Sequence, residues 1–333
     1  MQQRIDVHCH AVAPGYRQYA IDNGHAKPDG MPALPAWTPE QHIALMKQLN
    51  ISKSILSITS PGTNLAQSRR DGGQAAAGGG ARMTRQTNEE LAAICADHPA
   101  HFRFFASLPL PSVAESIAEI NYALDNLGAV GFAVLSNANG VYLGDPKLDS
   151  VFAHLDSRRA VLFIHPTTCN VLAGSNAEEA EEEAQAVKPL DHYPRPMMEF
   201  MFDETRAVAN LLLSGTVAKY TRITFVMSHA GCALPSILDR VGGFAGLTTG
   251  ADSQTAEFRR LLRERFVFDL AGFPFPDQIH GLLRMLGEGG EGRLVYGTDY
   301  PFTPERVVVG LAEQMEVGCE ELFDVDQRGN VYS

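Results

Sequence analysis

Three observations in the 333-residue sequence predict an α/β fold closed as a (β/α)8 TIM barrel. Eight short apolar runs, rich in β-branched and aromatic residues, recur along the chain, each followed by turn formers and then by a helical pattern. The runs are continuously apolar rather than alternating, as parallel strands covered on both faces must be. Eight such units in this length suit a closed barrel better than an open doubly wound sheet.

The predicted strands lie at 5–10, 51–59, 102–108, 129–136, 160–165, 223–229, 266–271 and 294–299. Between them, Thr38-Pro39-Glu40 opens a helix with an N-cap, a proline whose missing N–H costs nothing at the first position, and an acid near the positive end. Ile43, Met46 and Leu49 then share one face of that helix. Further helices are predicted at 91–96, 112–127, 146–155, 203–217, 234–241, 276–286 and 304–315. Two interruptions exceed ordinary connections. Residues 72–80 are low-complexity Gly and Ala, expected as a mobile loop, and 167–202 form a long insertion after the fifth strand, acidic at 178–183. Loops that follow barrel strands lie at the catalytic face, so this insertion is expected to be a lid or an oligomer contact. The whole chain, 1–333, is read as one domain.

Composition excludes several classes of function. Lys and Arg total 27 against 39 Asp and Glu, a net charge of −12, and no basic run is longer than a pair such as Arg69-Arg70, so no nucleic acid partner is expected. No window approaches the roughly 18 to 20 continuous apolar residues of a membrane span, and the N-terminus runs directly into a strand pattern without a signal peptide. A cytoplasmic protein without membrane partners is the expectation. Five widely spaced cysteines, an odd number without a CxxC pair, fit free thiols in a reducing compartment.

The chemistry concentrates at strand ends. In Asp6-Val7-His8-Cys9-His10, residues two apart share a face, so His8 and His10 project together while Cys9 points away. Two converging imidazoles make half of a divalent metal site. His165 closes the fifth predicted strand, His229 the sixth and Asp299 the eighth. Four strand ends thus carry a metal-competent or proton-transferring side chain at the end of a barrel where active sites are built.

These segments, with Ile164-His165-Pro166, Ser228-His229-Ala230-Gly231 and Gly297-Thr298-Asp299-Tyr300-Pro301-Phe302, resemble the amidohydrolase superfamily. The branch they resemble is that of the metal-dependent decarboxylases related to aminocarboxymuconate semialdehyde decarboxylase. The resemblance runs along nearly the whole chain. It implies that His8, His10, His165 and Asp299 ligate one divalent ion, zinc first and manganese second, with no organic cofactor. It places His229 just off the metal, as a proton-transfer residue or as one that positions its neighbours. No lysine follows the fourth strand, where binuclear members carry a bridging carboxylated lysine, so one ion is expected.

The wording of Trp37-Thr38-Pro39-Glu40, of 57–63 and of 296–303 is similar to the fungal 6-methylsalicylate decarboxylases of polyketide pathways. That similarity implies non-oxidative loss of carbon dioxide from an ortho-hydroxybenzoate, 6-methylsalicylate giving 3-methylphenol. Asp299 would deliver the proton to carbon and His229 would tune or resupply it, or the two would exchange roles. The muconate decarboxylase type carries an arginine in the loop between first strand and first helix that holds a second carboxylate; the loop here, 29–36, has none, with only Lys27 near, so the resemblance implies a monocarboxylate. Trp37, Phe302, Cys232 and Arg69 are the candidate substrate contacts, and Pro194, Met197, Met198 and Phe200 candidate walls. The alternatives are decarboxylation of another hydroxybenzoate, such as a dihydroxybenzoate or carboxyvanillate, and metal-dependent hydrolysis of a lactone or amide. A homodimer or higher homo-oligomer is the expected assembly.

Overall fold

The computed structural model describes residues 3–65, 79–172, 184–250 and 252–323. Among these, eight parallel strands form one sheet in chain order: β1 (Arg4–His10), β2 (Ile51–Ser57), β3 (Phe102–Ser107), β4 (Gly131–Leu135), β5 (Val161–His165), β6 (Thr224–Met227), β7 (Phe266–Asp269) and β8 (Leu294–Val295). A parallel bridge between Asp6 and Tyr296 joins the last strand to the first, and the His10 N–H donates to the Tyr300 carbonyl at 2.7 Å. The fold is the expected TIM barrel.

Each strand is followed by a helix on the outside: α1 (Pro39–Gln48), α2 (Gly79–Asp97), α3 (Val113–Tyr122), α4 (Asp149–Ser157), α5 (Glu199–Leu213), α6 (Leu234–Thr249), α7 (Gln278–Leu286) and α8 (Glu305–Leu322). Thr38 caps α1 as the sequence predicts, its hydroxyl accepting from the Gln41 N–H at 3.2 Å. Two helices escaped the sequence pattern, Pro14–Asp22 and Thr255–Arg265. Helix α2 begins at Gly79, inside the predicted loop, whose remainder at 72–78 lies outside the described residues. The insertion after β5 holds a short hairpin, Asn170–Leu172 with Ala184–Ala186, and a turn at Arg195–Met197 before α5. Its acidic stretch at 178–183 and the pair Arg69-Arg70 also lie outside the described residues.

The alternation of a strand sends one set of side chains into the barrel and the other under the helices. Phe105, Ala133, Phe163 and Val226 fill the interior, joined by Val7, Ile55, Val161, Val267 and Val295, so that all eight strands contribute. The larger core, with Cys9, Leu56, Phe104, Phe132, Leu162 and Phe268, lies between sheet and helices. The interior layer closes the barrel below the site: the Phe163 ring stands 4.9 Å from that of His8. A bulky plug there gives the catalytic end a fixed floor.

Candidate metal centre

His8, His10, His165 and Asp299 bring four donor atoms within 4.8 Å of one another at the carboxyl ends of β1 and β5 and just past β8. His8 and His10 are wholly buried and His165 nearly so, while the Asp299 side chain keeps 20% exposure. The carboxylate is therefore the open edge of the cluster.

Each imidazole is fixed by a partner at Nδ1. For His8 this is the Asp269 carboxylate, at 2.9 Å. For His165 it is the Pro166 carbonyl at 2.7 Å, which can only accept. For His10 it is the Ser57 hydroxyl at 3.0 Å; that hydroxyl donates to the Cys9 carbonyl, so it accepts from His10. All three rings thus carry the proton on Nδ1 and turn the Nε2 lone pair toward the centre. Among the described residues, the Nε2 atoms of His8 and His10 are buried without a hydrogen-bond partner. Asp299 Oδ1 lies 3.2 Å from His10 Nε2 and 3.6 Å from His8 Nε2. Donors about 2.1 Å from one ion stand roughly 3.0 to 3.4 Å apart along the edges of a regular polyhedron. The orphaned nitrogens, the donor set and the spacing fit a divalent cation.

The electrostatics favour neutral rings at His10 and His165 and a cationic ring at His8, whose Nε2 proton a bound cation would displace. Burial holds His165 well below its ordinary value, and the neighbouring His10 and His8 add to the effect. His10 is lowered by the same desolvation. Burial also pushes His8 down, but the Asp269 and Asp299 carboxylates prevail and raise it to about 10. Burial would raise Asp299, yet His10 and His8 hold it well below the usual carboxylate range. Asp269 is lowered because His8 and His229 outweigh the cost of its burial.

The local backbone is built for this crowding. Asp299 and His229 both adopt the left-handed region, at φ 57 and φ 51, a conformation that costs a non-glycine residue free energy and is concentrated at functional sites. Gly297 has a different reason to be glycine: a Cβ there would stand 2.8 Å from that of His8 and 3.1 Å from that of Ala271.

His229 stands beside the four-donor set rather than in it. Its ring is 4.9 Å from His8, its Nδ1 lies 3.3 Å from the Ala271 carbonyl, and its backbone N–H donates to Asp269 at 3.1 Å. Phe302 presents an edge to His10 at 5.7 Å, and the buried Phe200 does the same to His165 at 6.2 Å. Other expected contacts fall elsewhere. Trp37 is buried in the large core and donates its indole N–H to His42 at 3.1 Å. The Cys232 thiol is buried and donates to Glu204 at 3.1 Å. Met197 and Met198 are exposed at the surface. Arg69 lies outside the described residues.

Sequence reasoning missed Asp269 and Ser57, which orient two of the imidazoles. Asp269 stands at the carboxyl end of β7, so the rule that found the other strand ends applies to it. Leu270 and Ala271 extend the apolar run past it and hide the boundary.

Fold and cluster together define a barrel enzyme with a metal-competent centre. The model of the Amidohydrolase family matches residues 5–320, and the chain belongs to that family. It is 32% identical to a decarboxylase of Aspergillus niger, over 94% of this chain and 81% of the relative. It is 30% identical to a 6-methylsalicylic acid decarboxylase of Aspergillus aculeatus, over 96% and 91%. Among solved structures, an amidohydrolase superposes with a TM-score of 0.83 at 27% identity, covering 99% of this chain and 97% of that one. A dihydroxybenzoic acid decarboxylase from Polaromonas, solved with bound manganese and 2-nitroresorcinol, superposes with a TM-score of 0.74 at 18% identity, covering 100% and 95%. The chain is an enzyme of the carboxy-lyase class.

Proposed function

We propose that this single-domain enzyme removes carbon dioxide from an ortho-hydroxybenzoate without oxidation, using one divalent ion held by His8, His10, His165 and Asp299. The observation that carries this reading is the cluster itself: three imidazoles tied back at Nδ1, with a carboxylate on the open edge. When bound, the ion supplies a positive centre for the substrate's carboxylate and neighbouring hydroxyl. Zinc is the first metal to try, and manganese, held by the Polaromonas neighbour, the second.

The protein's own groups have three tasks. Phe302 and Phe200 offer ring edges near His10 and His165, against which an aromatic substrate packs. Asp299 reaches the open side and delivers a proton to the ring carbon that bears the carboxylate. Since a ligating carboxylate starts ionised, that proton reaches it first from the substrate hydroxyl or from His229. The carbon–carboxylate bond then breaks, its electron pair returns to the ring and carbon dioxide leaves; the group that gave the proton, phenolate or His229, regains one from water, and the product is the phenol.

The wording of the sequence and the A. aculeatus relative support 6-methylsalicylate as the first substrate to test, in fungal polyketide metabolism. One observation favours a second, more polar hydroxybenzoate: Lys27 and Arg195 line the cavity at this end of the barrel. Exposed Phe202, Leu213, Phe244 and Leu247 on α5 and α6 support a homodimer or higher assembly, which light scattering would measure. Among the described residues no helix is long and apolar enough to cross a membrane; the five free cysteines support the proposed cytoplasmic location. The test of the reaction is metal-replete enzyme with 6-methylsalicylate, salicylate, 2,6-dihydroxybenzoate and a lactone panel. Chelator-sensitive phenol formation is expected; turnover of lactones alone would move the enzyme to the hydrolases.

A further inference from the structure

Four consecutive residues just past the carboxyl end of β6, His229, Ala230, Gly231 and Cys232, have positive φ, at 51, 51, 77 and 53. Three of them are not glycine, and a side chain makes that conformation costly, so it persists only where the surroundings over-determine it. The turn they form carries His229 against the metal-competent cluster, its ring 4.9 Å from that of His8. Whatever fixes this turn also fixes the ring.

Two side chains from different helices tie one end of the turn to the other. Glu204, on α5 and wholly buried, accepts at one carboxylate oxygen from the Ser228 N–H at 2.8 Å. Its other oxygen accepts from the Ser228 hydroxyl and, at 3.1 Å, from the Cys232 thiol. Gln278, the first residue of α7, donates its side-chain amide to the His229 carbonyl at 2.7 Å and to the Cys232 carbonyl at 3.2 Å. Beside Glu204, the Thr205 hydroxyl accepts the Ala233 N–H at 3.0 Å. The His229 ring is held more loosely. Its Nδ1 lies 3.3 Å from the Ala271 carbonyl, a long contact that a small rotation of the turn would break. That carbonyl can only accept, so Nδ1 carries the proton and Nε2 is left to exchange one. A buried carboxylate is costly, and an apolar side chain of the same size would pack α5 on the sheet without that cost. What it would not do is bridge Ser228 to Cys232.

We propose that Glu204 and Gln278 are positioning residues for proton transfer: by tying Ser228 and His229 to Cys232 they hold the left-handed turn, and with it the Nδ1-protonated ring of His229. This rests on the decarboxylase reading, in which His229 supplies or tunes the proton.

The experiment uses zinc-loaded full-length enzyme carrying Glu204→Gln, which keeps the shape but loses an acceptor oxygen, or Gln278→Met, which keeps the length at a half-buried position but loses both donated bonds. With a hydroxybenzoate that the wild type turns over, kcat should fall about tenfold to a hundredfold in Glu204→Gln and about fivefold in Gln278→Met. KM should stay within about twofold and zinc at one equivalent. Adding Ala230→Gly to either variant should recover about threefold in kcat, because glycine adopts the left-handed turn at no steric cost. Wild-type kcat in both single variants, a loss that tracks lost zinc, or a loss that Ala230→Gly does not relieve overturns the proposal. If Glu204→Gln does not fold, Gln278→Met with and without Ala230→Gly decides it. If the wild type decarboxylates no acid, that reading fails, and nitrogen-15 NMR of the histidine rings at about pH 8, above the ordinary imidazole range, decides the positioning by itself. The two His229 ring nitrogens, identified by their absence in His229→Asn, should be well separated in the wild type and converge in the variants as the ring samples both tautomers. An unchanged separation overturns the proposal.

Discussion

Two groups of metal-competent side chains lie near β1, and only one of them is chemically ready for an ion. His8, His10, His165 and Asp299 form the first; Asp6, Cys9 and His42 form the second, equally close together and wholly buried. In the first, every Nδ1 proton is given to a fixed acceptor and the Nε2 lone pairs face one another. In the second, His42 Nδ1 accepts the Trp37 N–H, so the ring's proton sits on Nε2. Burial pushes the Cys9 thiol well above its ordinary value, and the nearby Asp6 adds to that, so no thiolate is offered. Asp6 spends its oxygens on the His8 and Thr298 backbone N–H groups and on the Thr298 hydroxyl. Residue type and proximity are alike in the two groups, and the placement of protons separates them.

The largest effects should fall on the first group. His8→Ala or His10→Ala should drop bound metal from one equivalent to well under half, measured by atomic emission after gel filtration, while Cys9→Ala should leave it at one. If Cys9→Ala loses the metal and His10→Ala keeps it, the two groups have been assigned in reverse. Asp299→Asn should keep part of the metal yet lower turnover by about 10²- to 10⁴-fold, the range that a lost proton-transfer group commands. Ordinary turnover by that variant would remove Asp299 from the chemistry.

Asp269→Asn tests the proton placement more finely. An asparagine keeps the shape but can turn its NH2 toward His8 Nδ1, which favours the other tautomer and turns an N–H toward the centre. Losing such an orienting partner typically costs 10- to 100-fold in metal affinity. Competition with a fluorescent chelator would measure it, and unchanged affinity would make the Asp269 contact incidental.

How much of this was legible in the sequence follows from the same distinction. The four strand ends could be read because each side chain closes an apolar run, and the His8-Cys9-His10 alternation survives in the structure, with Cys9 in the outer core. Proton placement could not be read, because the partners that set it, Asp269, Ser57 and the Pro166 carbonyl, come from strands or backbone that only folding brings near. Trp37 shows the converse case. A lone tryptophan before a helix suggested a substrate wall, yet its partner is His42, five residues on and one turn into α1. Lys27 could be noticed beside the first loop, but its place in one cavity with Arg195 depends on how the long insertion folds back, which carries no local signature.

A smaller effect belongs to Asp6, whose carboxyl burial raises from 3.8 to about 7. A carboxyl raised in the folded chain holds its proton over a range where the unfolded chain has released it. Its contribution to stability is therefore fully present below the unfolded value and is lost as pH rises through about 7. The loss amounts to at most about 4 kcal/mol. Asp6→Asn should flatten the decline in thermal midpoint between about pH 4 and pH 8. An unchanged decline would show that Asp6 ionises at its ordinary value despite its burial.

Trp37→Phe should have the mildest consequence and bears most directly on why the second group stays empty-handed. The substitution removes the donor to His42 Nδ1, leaving a buried acceptor unpaired at a cost of about 1 to 3 kcal/mol, readable in a urea titration. It also frees His42 to move its proton to Nδ1 and expose a lone pair at Nε2. Metal should nevertheless remain at one equivalent, because the Cys9 thiol is still held protonated by its own burial. A second equivalent of zinc in Trp37→Phe would mean that a single indole N–H is all that separates the two groups.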